Sequence, residues 1–233
     1  MIKIIKLSLV VFFYIPWGIV QFFLHYLTKI IPKQKNLILF GSWEGYQLRG
    51  NVKHLFIYML KNEKRFECIW ITKNKKLYNE MKNNNLPCLY WMSLRGIIKT
   101  VRAKIFFVSH GHHDINYYLS GGAIVINLMH FVYLLKKGGK LVYGTNFLKK
   151  FYIILQNPLH YLISPVDYYL CVSPFTANFV ENLYDIPSKK TLIKYGIKKN
   201  FLLTKNKNDF IFDFEKNKIL NINKNKKNIF FLP

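Results

Sequence analysis

The side chains best suited to chemistry gather in one stretch, Ile105 to Lys137, which reads IFFVSHGHHDINYYLSGGAIVINLMHFVYLLKK. It holds two short apolar runs, Ile105 to Val108 and Ala123 to Leu128, and each ends on a polar cluster containing histidine. Runs of that length between turn signals read as buried strands. Ligands in an open α/β sheet sit at the carboxyl ends of parallel strands, so His110 and His130 are expected to face one crevice. The order His110, His112, Asp114 also offers imidazoles and a carboxylate that could hold a water-activating metal. The plainer reading of the same cluster is a polar strand-to-helix loop at the crevice mouth.

Elements that would position these residues alternate along the chain. Strands are expected at Asn36 to Phe40, Glu67 to Thr72, Cys88 to Tyr90, the two runs above, Tyr168 to Val172 and Thr191 to Tyr195. Helices are expected from about Asn51 to Lys61, near Lys75 to Asn83, from Ser93 to Thr100 and from Pro174 to Tyr184 with Ser173 as cap. Repeated β-α units of this length imply a parallel, doubly wound sheet. The turn Gly41-Ser42-Trp43-Glu44-Gly45 lacks both the GxGxxG order and the GK[ST] ending, so it reads as a plain strand-to-helix turn. Thr204 to Lys227 is rich in Lys and Asn and reads as an exposed connector. Asn228 to Pro233 opens a new apolar strand at the terminus with nothing to follow it, so the chain looks unfinished. The expected division is 1–31, 32–203 and 204–233.

The first part, Met1 to Ile31, is a hydrophobic leader. Leu7 to Leu24 approaches the length needed to cross a bilayer, with lysines at both ends and Tyr14, Trp17 and Tyr26 suited to an interface. Pro16 and Gly18 are expected to kink a helix midway. A spanning anchor, a kinked in-plane helix pair and a buried helix of the body all fit, whereas a cleaved signal lacks its small-residue site. Membrane attachment on the cytoplasmic side is the reading adopted. The 35 Lys and Arg against 11 Asp and Glu give a formal charge of +24 and point to an anionic partner. No zinc-finger spacing, recognition helix or RNA-binding signature accompanies that charge, which argues against nucleic acid and leaves an anionic membrane surface or a phosphate-bearing substrate. Cys68, Cys88 and Cys171 are odd in number and far apart, as reduced, packed thiols would be.

Several segments together resemble the CDP-glycerol glycerophosphotransferase family, which builds teichoic acid and related capsule polymers. They are FGSWEGYQLRGNVKHLFIYML, ECIWITKNKK, Arg102-Ala103-Lys104 leading into IFFVSHG, INLMHFVYLLKKGG, CVSPFTANFVENLY, KYGIKKNFLL and NIFFLP. The resemblance implies an α/β fold, the Rossmann-like N-terminal domain of a GT-B type transferase, on the acceptor side, with most of the donor site in a second domain. His130 and Leu134 stand where the family's W-H-G-x-P-L-K-K motif has its His and Leu, and Lys136 lies close to its lysine pair. Phe131 and Tyr133 replace the glycine and proline. Lys199 takes the arginine position of a G-x-P-R-N-D motif, followed by Asn200, and Phe201 replaces the acid.

The reaction implied by this resemblance moves a glycerol phosphate, or a related polyol phosphate, from CDP-glycerol to a hydroxyl of a membrane-bound polymer or lipid-linked acceptor. A neutral imidazole can take the hydroxyl proton near pH 7, and His130 is the candidate base. Lys136, Lys137, Lys199 and Asn200 are the candidate phosphate contacts, with His110 and His112 as further substrate contacts. No cofactor or metal is required. Two alternatives remain. One is a hydrolase of the metallo-β-lactamase type using His110, His112 and Asp114, although Ile115 stands where its next histidine belongs, and the remaining ligands would have to come from His130, His160 or distant acids. The other is a membrane-bound fragment without catalysis.

Overall fold

The computed structural model describes residues 15–129, 166–184 and 186–193. The described strands form one parallel sheet: β1 (Gln34–Phe40), β2 (Glu67–Thr72), β3 (Cys88–Tyr90), β4 (Ala103–Val108), β5 (Ile124–Asn127), β6 (Tyr168–Cys171) and β7 (Thr191–Ile193). Their spatial order is β3-β2-β1-β4-β5-β6-β7. The chain therefore builds outward from β1 to β3, returns, and builds the other way from β4. The direction reverses between β1 and β4, which are hydrogen-bonded neighbours with Leu39 opposite Phe106. In doubly wound sheets that reversal leaves the crevice where ligands bind.

Strand positions follow from apolar content. Leu37 to Phe40 and Cys68 to Thr72 are continuously buried, as strands covered on both faces must be. Phe40 packs on Phe56 in a tilted arrangement at 5.1 Å between ring centres, and Phe56 meets Trp70 at 5.3 Å, which seats α2 (Gly50–Asn62) on β1 and β2. α3 (Lys75–Asn83) starts where the Asn74 carboxamide accepts from the Lys76 and Leu77 amides. α4 (Leu94–Arg102) starts where the Ser93 hydroxyl accepts from Gly96 N–H, and α5 (Pro174–Tyr184) has Ser173 in the same role toward Thr176. Burial pushes the Cys68 and Cys171 thiols up to about 11 and Cys88 up to about 12, and all three are free.

α1 (Ile15–Ile30) covers the second half of the hydrophobic leader. Pro16 lies in the first turn of the described helix, and the expected kink involves residues before Ile15 that lie outside the described residues. The helix also turns its polar side inward. Gln21, His25 and Thr28 are at most 6% exposed, while Phe23 is 61%, Leu27 58% and Ile30 80% exposed. The inward face is held at Gly121, whose N–H donates to Thr28 Oγ1 at 3.1 Å. A Cβ on Gly121 would stand 1.9 Å from the His25 carbonyl oxygen, so only glycine permits this approach. Among the described residues no helix is long and apolar enough to cross a membrane.

Candidate functional site

At the reversal point, the loop after β1 and the loop after β4 are tied together through one carboxylate. Asp114 is fully buried. Its Oδ2 accepts from Ser109 N–H at 2.6 Å, His110 N–H at 2.9 Å and Ser109 Oγ at 3.0 Å, and its Oδ1 accepts from Glu44 N–H at 2.6 Å. Burial holds the carboxyl above the ordinary carboxylate range, and the backbone donors together with the neighbouring His110 oppose that shift only in part. Four donors on two oxygens turn this group inward as a clasp between loops. That geometry weighs against Asp114 as a metal ligand and so against the hydrolase alternative.

The β1 loop is bent accordingly. Trp43 and Glu44 both adopt left-handed backbone, at φ 51° and 58°, ahead of Gly45 at φ 86°. Each non-glycine residue in that region costs roughly 1–2 kcal/mol, so the turn persists because its partners hold it. Trp43 N–H donates to Ser109 Oγ at 3.1 Å, and Gly45 O accepts from Thr72 Oγ1 and from Lys73 N–H, both at 2.8 Å. Gly41 lies so close to Asp114 that a Cβ would meet its carbonyl oxygen at 2.7 Å. Lys73, just beyond β2, donates from Nζ to the His113 carbonyl at 2.6 Å. Desolvation lowers its pKa, against the opposing pull of Asp114 and Glu44.

His110 stands on this clasp. Its Nδ1 is 3.0 Å from Ser109 Oγ, and its ring lies 4.9 Å from that of Trp43. The Ser109 hydroxyl has one proton, which it gives to Asp114, and it already accepts from Trp43 N–H. With the hydroxyl proton directed at Asp114, His110 Nδ1 meets Ser109 Oγ as a donor.

Next to β4 the chain leaves β5 through Leu128 and Met129. Met129 is left-handed at φ 52°, and its N–H donates to Asn127 Oδ1 at 2.8 Å. Asn51, in the first turn of α2, donates from Nδ2 to the carbonyls of Leu128 at 3.0 Å and Met129 at 2.8 Å.

Of the residues singled out from sequence, His110 is at the carboxyl edge of the sheet, as expected, beside the β1–β4 junction. His112 begins the short 3-10 turn His112–Asp114 on the same loop. His130, Lys136, Lys137, Lys199 and Asn200 lie outside the described residues, as does the segment 204–233. The sequence reading centred the crevice on β4 and β5, whereas the order of strands puts the reversal between β1 and β4. It therefore passed over Trp43, Glu44 and Asn51 and weighed Asp114 as a metal ligand or as part of a polar loop, without its role as a clasp. The alternation around Gly41 to Gly45 carried the one usable signal, a strand end running into a short loop.

A parallel α/β sheet of this order, with strained loops tied over its reversal point, defines a doubly wound α/β domain. The chain belongs to the CDP-glycerol:poly(glycerophosphate) glycerophosphotransferase family, whose model matches residues 22–233. A teichoic acid poly(glycerol phosphate) polymerase from Bacillus spizizenii is 26% identical over 220 residues, covering 88% of this chain and 51% of the relative. The solved wall teichoic acid polymerase TagF is similar in fold, with TM-score 0.58 at 13% identity over 88% of this chain and 49% of that one. A histidine-to-asparagine variant of TagF treated with CDPG gives TM-score 0.60 at 16% identity, over 89% of this chain and 51% of that one. The chain thus spans about half the length of the relatives it matches.

Proposed function

We propose that this chain is the acceptor-side, Rossmann-like domain of a GT-B type transferase that moves glycerol phosphate from CDP-glycerol onto a hydroxyl of a membrane-bound polymer or lipid-linked acceptor. The family match across residues 22–233 carries this reading. In the reaction, the acceptor oxygen bonds to the phosphorus bearing glycerol, the bond from that phosphorus to the bridging oxygen breaks, and CMP leaves with the negative charge. The acceptor proton passes to His130, the first residue beyond the fixed exit of β5. Such a base contributes roughly 10²- to 10⁴-fold. The rest of the acceleration comes from orientation and from cations facing the phosphates, for which Lys136, Lys137 and Lys199 are the candidates, with Asn200, His110 and His112 as further substrate contacts.

The body works at the cytoplasmic membrane surface in this reading, with α1 lying in the interface plane. Its outward apolar side supports that placement, as does the formal charge of +24 facing anionic headgroups. In the complete protein, His130→Ala should lose at least 10²-fold in glycerol phosphate transfer while keeping its membrane binding and melting temperature. Transfer at the parental rate would remove His130 as base.

A further inference from the structure

One ring comes from each of the two strands that flank the reversal. Trp43 follows β1 and His110 follows β4, and their ring centres lie 4.9 Å apart with the planes tilted by 57°. The turn that carries the indole is held by other groups. Trp43 N–H donates to Ser109 Oγ and Glu44 N–H to Asp114 Oδ1. The fully buried Ser42 hydroxyl donates to the Gln47 carbonyl at 2.6 Å and accepts from Arg49 N–H at 3.3 Å. None of these bonds depends on the side chain at position 43. Glycine would suit the φ of 51° there, yet the position carries the bulkiest of side chains, 37% exposed at the edge where ligands of such sheets bind. A strained residue held at a binding edge points to a role for the group it presents.

We propose that Trp43 is a specificity-determining residue for the acceptor: its indole, with the His110 ring beside it, forms a wall for the carbon skeleton of the acceptor's polyol. The face of an aromatic ring carries partial negative charge, which suits the weakly positive C–H groups of a polyol and leaves its hydroxyls to other partners. Binding sites of this kind combine such apolar walls with a few polar groups that fix orientation. Glu44, exposed on the same turn, bears a carboxylate that accepts from hydroxyls and repels phosphate, so the turn favours the uncharged part of the acceptor. The inference rests on the reading of this chain as the acceptor-side domain and names what its β1 turn recognises.

The test uses Trp43→Ala, Trp43→Gly and Trp43→Phe in the complete protein, with a lipid-linked glycerol phosphate oligomer as acceptor. Alanine and glycine should raise KM for the oligomer about tenfold, the scale of one lost aromatic contact, while KM for CDP-glycerol stays at the parental value. Phenylalanine should restore most of the loss. If alanine at 43 prevents folding, the glycine variant, which suits the backbone, reports in its place. Tryptophan emission reads the wall independently of turnover. Titrating the 233-residue chain with the free oligomer should shift its emission, the shift should vanish in Trp43→Phe, and inorganic phosphate alone should produce none. A parental KM for the oligomer in Trp43→Gly, an emission shift that persists in Trp43→Phe, or an equal shift with phosphate alone would each overturn the proposal. A parent that transfers no glycerol phosphate would remove the proposed function and this inference together, whereas normal transfer with the parental acceptor KM in Trp43→Gly would remove the inference alone.

Discussion

Asp114 shows why a residue's role depends on what its lone pairs already hold. Its two oxygens receive unequal loads, three donors on Oδ2 and one on Oδ1. Asparagine in its place keeps a carbonyl oxygen where three donors converge and sets an NH2 group against Glu44 N–H. Asp114→Asn should therefore cost roughly 1–3 kcal/mol, the usual penalty of one stranded buried donor together with a weakened network. Urea unfolding followed by tryptophan emission would measure this, and a midpoint equal to the parent's would show that the carboxylate charge contributes nothing here. The sequence could not distinguish this clasp from a metal ligand, because His110, His112 and Asp114 have the spacing of both. Spacing reports which residues are near one another and leaves open which atoms they face. The backbone at Trp43, Glu44 and Met129 was illegible for a related reason: none is a glycine, and left-handed turns are inferred from glycine or asparagine.

At the scale of elements, strand and helix positions were readily legible, because apolar runs bounded by polar turns leave few alternatives. β2, β3, α3 and α5 fall where the pattern puts them. The orientation of α1 was not legible. A segment apolar on nearly every side gives no preferred face, and the buried side is the one that carries Gln21, His25 and Thr28, with Thr28 Oγ1 accepting from Gly121 N–H. The outward stripe of Val20, Phe23, Leu27 and Ile30 is left for lipid under the proposed placement. Phe23→Glu with Leu27→Glu should leave the fold intact, since both sites are more than half exposed. The same change should lower co-sedimentation with lipid vesicles by at least tenfold. Undiminished co-sedimentation would mean that α1 does not meet the membrane.

For the whole molecule, the two contributions to the proposed membrane placement can be separated by salt. The charge of +24 acts through the solution and is screened within about 8 Å at physiological ionic strength. The apolar stripe acts by contact and is insensitive to ions. Parental protein should bind vesicles containing anionic lipid more tightly than neutral ones at low salt, by about 1 kcal/mol for each basic residue near the surface. The difference should shrink as salt rises toward 1 M, leaving the binding that α1 supplies. Equal affinity for both vesicle types at low salt would rule out the electrostatic part.

The inverted packing of α1 bears on how this protein can be handled. Cutting the chain before β1 to improve its behaviour in solution would remove the exposed apolar stripe and, with it, the hydroxyl that receives the Gly121 amide. The trimmed body would show a bare polar socket, shaped for a helix that is gone, next to the turn Tyr117–Leu119. Detergent or a nanodisc that shields the leader from outside keeps that socket filled.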